Sequence, residues 1–259
     1  MVESLGDRAS WRYPTFLVPT DAVGERAAAV AGDEGHHAAR ALRVRPGEVV
    51  RLIDGEGLEV LAAVEKVSRD RIETSVLEKR THLREDGVDL EVAQALLKGR
   101  AFDEVVRRCG ELGVSGIVPI RTSRTVARLR ARDERARIER WRAVALAAVK
   151  QSRGIFLPRI GEVRDFSSAL ERCAYVDLAA LAWEEEGGLS LREFLRAARP
   201  PRRMLVIVGP EGGFTPAEVD EARRAGATPV GLGRRVLRAD WAAAAVAAMA
   251  TYELGGLAP

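Results

Sequence analysis

Leu205-Val206-Ile207-Val208-Gly209-Pro210-Glu211-Gly212-Gly213-Phe214-Thr215-Pro216 decides the architecture. The unbroken apolar run at its start reads as a strand covered on both faces, the pattern of a parallel sheet. The strand runs into a loop with three glycines, which let a ligand approach the backbone and permit positive φ. Thr215, Pro216 and Glu218 then spell a helix start: an N-cap hydroxyl, proline in the first turn and the acidic partner of a capping box. In open α/β sheets, ligands bind beyond the carboxyl ends of strands. The loop is therefore a candidate site by position, with a plain tight strand-to-helix turn as the alternative. It is neither a phosphate loop nor a dinucleotide fingerprint, since GxxxxGK[ST] and GxGxxG are both missing.

A second loop of the same kind follows in Val230-Gly231-Leu232-Gly233-Arg234-Arg235-Val236-Leu237-Arg238-Ala239-Asp240. A strand again leads through glycines and arginines into a helix, with Asp240 placed to cap it. Arg234, Arg235 and Arg238 could meet phosphate, or form a solvated basic turn. If the two strands lie side by side, the two loops lie close together.

Working outward, residues 88–259 alternate strands and helices. Strands are expected at 90–97, 116–120, 175–183, 204–208 and 229–232. Phe102, Val105, Val106, Cys109 and Leu112 share one helical face, which Gly113 ends. An arginine-rich helix covers 134–151. Ser190 with Glu193 starts another, and 240–254 is the last. This is an α/β pattern with a covered parallel sheet. Residues 16–82 read differently. Short strands at 16–19, 48–53, 58–67 and 71–77, a helix at 34–44 and the Asp54-Gly55-Glu56-Gly57 turn suggest a small β-barrel. Residues 1–15 read as a loose tail. The boundary between the two parts falls within 80–88.

Composition narrows the class. The chain has 259 residues, 47% hydrophobic and 31% charged, with a net charge of +3. The Ala-rich stretch 242–250 is shorter than the roughly 20 residues of a spanning helix, so no membrane partner is expected. The N-terminal residues lack a secretion signal, and a cytoplasmic home is expected. Cys109 and Cys173, with three histidines, make no zinc pattern, so no metal is expected and both thiols read as buried apolar residues. Residues 98–164 hold 17 Lys and Arg against 7 Asp and Glu, whereas residues 1–80 hold 12 against 14. Such a basic segment suits a phosphate-backbone partner, or is the solvated arginine-rich helix of a GC-rich genome.

The two loops together, GPEGGFTPAEV followed by LGRRVLRADWAAA, resemble the RsmE family. These are 16S ribosomal RNA uracil-N3-methyltransferases of the SPOUT, or trefoil-knot, superfamily. Residues 37–43 and Asp54-Gly55 match its N-terminal PUA-like RNA-binding barrel. Leu97-Lys98-Gly99, Glu111-Leu112-Gly113-Val114, Pro119, Trp141, Gln151-Ser152 and Pro158 match its landmarks in between. The resemblance implies a PUA-like barrel at 16–82 and a SPOUT methyltransferase domain at 83–259. It implies a homodimer acting on a uridine of 16S rRNA, in the small ribosomal subunit, near the decoding site. S-adenosylmethionine would sit bent among three loops, 181–184, 209–213 and 232–238. The implied cofactor residues are Leu181, Trp183, Glu184, Val208, Gly209, Pro210, Glu211, Gly212, Gly213, Leu232, Gly233, Val236, Leu237, Arg238 and Ala242. Arg40, Arg43, Lys98, Arg100, Arg121, Arg124 and Arg153 are the expected RNA contacts.

The chemistry points to Arg238, Asp240 and Glu211. A sulfonium methyl is already electrophilic, whereas uracil N3 must lose a proton. Arg238 could stabilise the charge left behind, and Asp240 or Glu211 could accept the proton. Asp240 could instead cap its helix, and Glu211 could orient loops across a dimer. Leu237-Arg238-Ala239-Asp240-Trp241-Ala242 departs from the family's Leu-Arg-Thr-Glu-Thr-Ala: both threonines are replaced and the glutamate is shortened to aspartate. Trp241 could pack at the dimer interface or stack on a base. Methylation of another RNA atom, such as a ribose 2′-hydroxyl, and an RNA-binding assembly factor without catalysis are the alternatives.

Overall fold

The computed structural model describes residues 12–83, 88–127, 129–197 and 199–255. The chain forms two compact units, one from residues 1–84 with 149–157, the other from 85–148 with 158–259. Residues 84–87, within the expected 80–88 boundary, and the first 11 residues of the expected tail lie outside the described residues.

The first unit is a curled sheet. Its strands are β1 (Thr15–Leu17), β2 (Ala27–Ala31), β3 (Val49–Ile53), β4 (Leu58–Val67) and β5 (Arg71–Thr81), in the order β1-β3-β4-β5-β2. β1 runs parallel to β3 and the remaining pairs are antiparallel. Register shifts at Leu61/Ala62 and Val64/Lys66 bend β4 against β5 and curl the sheet around Phe16, Val30, Leu52, Val60 and Ile72. The expected β3–β4 hairpin forms for a definite reason. The Asp54 carboxylate accepts from the backbone N–H groups of Glu56 (2.7 Å), Gly57 (3.0 Å) and Leu58 (2.9 Å).

Three readings change here. The expected helix at 34–44 is α1 (Gly32–His36) followed by a π-helical turn, His37–Ala41. β2 was missed because its four alanines carry little strand signal. Residues 149–157 join this unit, held by a side chain 102 positions from Arg153. Arg51 is buried and paired with Glu59, and its guanidinium donates to the carbonyls of Arg153 (3.2 Å) and Gly154 (3.4 Å).

The second unit is an α/β layer structure. In chain order it holds β6 (Asp89–Ala95), α2 (Ala101–Glu111), β7 (Gly116–Arg121), most of α3 (Ala131–Ser152), β8 (Arg159–Ile160), β9 (Arg164–Asp165) and α4 (Phe166–Leu170). β10 (Leu178–Ala182), α5 (Leu191–Ala197), β11 (Arg203–Val208), α6 (Pro216–Arg224), β12 (Thr228–Val230) and α7 (Ala239–Glu253) complete it. The sheet order is β12-β10-β11-β6-β7-β8, with β9 also on β7, and all its pairs are parallel. β11 shows why the apolar run is continuous. Met204, Val206 and Val208 face one core with Phe102, Trp141, Val246 and Ala247, while Leu205 and Ile207 face another with Phe166, Phe214 and Val219. The sheet is thus buried on both sides. Cys109 and Cys173 are buried as read, and burial pushes the Cys109 thiol up to about 12.

The end of the chain doubles back in a tight crossing. Gly231 donates to the Leu189 carbonyl at 2.9 Å and accepts from Leu191 N–H at 3.0 Å. A Cβ on Gly231 would stand 2.5 Å from the Glu186 carbonyl oxygen, so only glycine fits there. From this crossing the chain leaves the edge strand β12 and returns as α7, against β6 and β11. The order β12-β10-β11-β6 and this return are the trefoil-knot arrangement that the resemblance implies.

Candidate active site

β11 and β12 are not neighbours; both pair with β10, one on each side. Their following loops therefore flank the end of β10 and enclose one cleft of about 360 Å³. That is within the usual range for a small-molecule site, roughly 300–1,000 Å³. Its wall after β10 is Ala182, Trp183 and Glu184. Val208, Gly209, Pro210, Glu211 and Gly213 follow β11, and residues 232–240 with Ala242 follow β12. Thirteen of the fifteen residues expected at the cofactor line it. The other two do not. Leu181 is fully buried in the second core, as the strand's two-residue period requires, and Gly212 packs on Arg124.

The loop after β11 is held on every side. Gln94, buried at the end of β6, donates from Nε2 to the Gly209 carbonyl at 3.1 Å. The Glu211 carboxylate accepts from Lys98 N–H at 3.0 Å, tying the loop to the residues after β6. Arg124 donates to the Gly212 (2.9 Å) and Phe214 (3.2 Å) carbonyls. At the start of α6 the expected capping box is complete: Thr215 accepts from Glu218 N–H, and Glu218 accepts from Thr215 N–H at 2.8 Å. Glu218 also accepts from Ser123 N–H at 2.7 Å. Burial pushes the Glu218 carboxyl up, but the hydrogen bonds from Thr215 and Ser123 outweigh it and hold the group below its ordinary range. Gly213 has φ +66°, and a Cβ there would meet the carboxylate of the exposed Glu184 at 1.9 Å. Glycine at 213 therefore lets Glu184 stand against the loop at the wall of the cleft.

The loop after β12 is open. Arg234, Arg235, Val236 and Arg238 are exposed, and Gly233 has φ +107° with no described atom within 4 Å of a Cβ. α7 starts at Ala239 with Arg238 as its N-cap residue, and no side chain caps it among the described residues. The expectation that Asp240 caps this helix is therefore corrected. Asp240 sits two positions past the N-cap, and its carboxylate is turned to arginines. Oδ1 accepts from Arg238 Nε at 3.1 Å, and Oδ2 lies 3.6 Å from Arg108 Nη1.

The expected RNA contacts divide in two. Arg40, Arg43, Lys98 and Arg100 are exposed, and their side chains form no ion pair with described residues. Arg121 is paired with Glu134, Arg124 supports the loop after β11, and Arg153 reaches the Tyr13 carbonyl at 3.5 Å. Much of the positive segment is paired in the same way, as in Arg107 with Glu104 and Glu111, and Arg140 with Asp103. Two important residues were not singled out. Gln94 was legible as an uncharged polar residue inside a largely apolar strand; Arg108 carried no local signal. Among the described residues, no group of three or more His, Cys, Asp or Glu is placed to hold a metal, and no helix is long and apolar enough to cross a membrane.

The family comparisons agree with this geometry. Residues 84–251 match an RNA methyltransferase domain, and residues 30–77 match an RNA methyltransferase PUA domain. The ribosomal RNA small subunit methyltransferase E of Mycobacterium bovis is 33% identical over 235 residues, covering 90% of this chain and 87% of that protein. The protein of the same name from Bacillus subtilis is 30% identical over 217 residues, covering 82% and 85%. The crystal structure of ribosomal RNA small subunit methyltransferase E from Neisseria gonorrhoeae, bound to S-adenosyl methionine, superposes with a TM-score of 0.82 at 25% identity, over 95% of this chain and all of that one. With its curled PUA-type unit, its all-parallel sheet and a cleft walled by the loops after β10, β11 and β12, this chain belongs to the ribosomal RNA small subunit methyltransferase E family.

Proposed function

We propose that this protein methylates N3 of one uridine in 16S ribosomal RNA, near the decoding site, with S-adenosylmethionine as methyl donor. The carrying observation is the meeting of two glycine-bearing loops, after β11 and β12, in one cleft at the carboxyl ends of parallel strands. The residues present suit that donor. Ala182, Val208, Leu232 and Ala242 offer an apolar wall for an adenine ring. The backbone of 209–213 offers polar groups beside it, with the Glu184 carboxylate standing against Gly213. Glu184 supplies a carboxylate at the wall of the cleft for the donor's positive charge.

When bound, S-adenosylmethionine supplies a methyl carbon made electrophilic by its sulfonium, which departs with the C–S electron pair. The protein's own task is to bring uracil N3 to that carbon and to make its lone pair available. N3 lies on the pairing edge, so the uridine must be unpaired or extruded. The N3 proton is lost, and negative charge spreads to O2 and O4. Arg238, at the rim of the cleft, meets that charge. Exposed cations are available for phosphate on both units: Arg40 and Arg43 on the first, Lys98 and Arg100 on the second.

The same reading assigns RNA holding to residues 16–82 and chemistry to 83–259. It makes the protein a cytoplasmic homodimer, with the exposed Trp241, Met249 and Tyr252 of α7 covered by a second copy. Nucleoside mass spectrometry of 16S rRNA tests it. A deletion strain should lose 3-methyluridine alone, and the purified protein should restore it. Loss of a 2′-O-methyl nucleoside instead would replace this reading.

A further inference from the structure

We infer that Arg108 is a positioning residue for methyl transfer. Reaching from α2, it fixes Asp240, and Asp240 in turn holds the Arg238 guanidinium at the cleft. The carboxylate is then an anchor and not a proton acceptor. The inference rests on the reading above that a uridine N3 is the nucleophile.

A single guanidinium holds three parts of the first turn of α7. Arg108 Nη1 donates to the Asp240 carbonyl at 2.7 Å and lies 3.6 Å from its carboxylate. Its guanidinium carbon stands 4.1 Å from the centroid of the Trp241 ring, a cation–π contact. Glu104, one turn earlier on α2, faces the same guanidinium at 3.5 Å. Trp241, where the family has threonine, is thus the platform under Arg108.

Arg238 is the opposite case. Its side chain is 80% exposed, and Asp240 is its one ion-pair partner among the described residues. A long exposed side chain samples many rotamers, and fixing one makes its charge available without reorganisation. The charged groups facing Asp240 are Arg108 and Arg238, one toward each carboxylate oxygen. Accepting a proton would weaken both ion pairs of Asp240, and the Glu211 carboxylate is engaged with Lys98 N–H. The N3 proton is therefore assigned to solvent. The lone pair left on N3 forms the N–C bond as sulfur takes the C–S pair, and Arg238 carries the stabilisation.

The test is a double-mutant cycle in the full-length protein with Arg108→Met, Asp240→Asn and the combination. Each single change is expected to lower kcat about 10- to 100-fold, the scale of an ångström's misplacement. The double variant should lose no more than either single one. Affinity for S-adenosylhomocysteine, read by calorimetry, should stay within about twofold, far below a tenfold step of 1.4 kcal/mol. Arg108→Lys should recover part of the rate. Substrate RNA carrying 5-fluorouridine, whose N3–H is more acidic, should narrow every deficit. The rate of Asp240→Asn should still rise with pH as the parent's does. Additive losses, a flattened pH profile in Asp240→Asn, or weakened cofactor binding in a folded variant would each overturn the inference. If Arg108→Met does not fold, Arg108→Lys with Asp240→Asn runs the same cycle. If the parent methylates a different atom, the functional reading fails, and the cycle on that product still decides the relay.

Discussion

The two loops that wall the cleft are built on opposite plans. The loop after β11 is tied down by Gln94, Glu211, Arg124 and the Thr215–Glu218 box, and α6 starts from it with a complete cap. The loop after β12 carries exposed arginines and starts α7 with no side-chain cap among the described residues, the Asp240 carboxylate being engaged with Arg108 and Arg238. One loop is a rigid floor. The other is an adaptable wall whose charged groups remain available to a substrate. Preorganised donors cost nothing to align at reaction, so rigidity belongs where the cofactor lies. Exposure belongs where RNA must enter.

The sharpest way to break this contrast is at the two glycines. Gly213→Ala places a Cβ where the Glu184 carboxylate stands, so the exposed Glu184 side chain must turn out of the cleft while the positive φ is strained, and cofactor binding by calorimetry should weaken by about tenfold or more. Gly233→Ala meets open space, so only backbone strain of about 1–3 kcal/mol opposes it. It should leave measurable binding. Equal losses would show the two loops to be equally rigid.

Gln94→Leu comes next. It strips the buried Gly209 carbonyl of its donor, at a cost of about 1–3 kcal/mol in denaturant unfolding. A change near zero would mean that the floor is not held from β6.

Glu218→Gln probes the cap, at about 1 kcal/mol at neutral pH. The group's pKa is held below its ordinary 4.5 in the folded protein, so the unfolded chain takes up the proton first as pH falls. Its contribution is full above about pH 4.5 and is lost as pH drops through the folded value. Acid titration of the variant should lack that share of the slope. Asp240→Asn, on the open wall, should have the smallest effect on stability and leave cofactor affinity nearly unchanged, with the loss appearing in kcat.

The rigid loop was the more legible of the two. Its strand, its glycines and its capping box are local patterns, and local patterns survive in a sequence. The fifteen-residue cofactor set failed to reach the cleft only at Leu181 and Gly212, where strand alternation and packing on Arg124 decide. The open loop misled, because an aspartate near a helix start reads as a cap, while the helix begins one residue earlier and Arg108, 132 positions away, engages Asp240. The same reason hid the membership of 149–157. Its tie is the buried Arg51, whose partners no spacing rule brings together. Ala27–Ala31 was lost for lack of side-chain signal.

The most direct measurement is a crystal structure of this protein soaked with S-adenosylhomocysteine. The account predicts density between residues 209–213 and 232–238, with backbone contacts from the first loop. Density at another site, or a cleft that stays empty at saturating concentration, would contradict it.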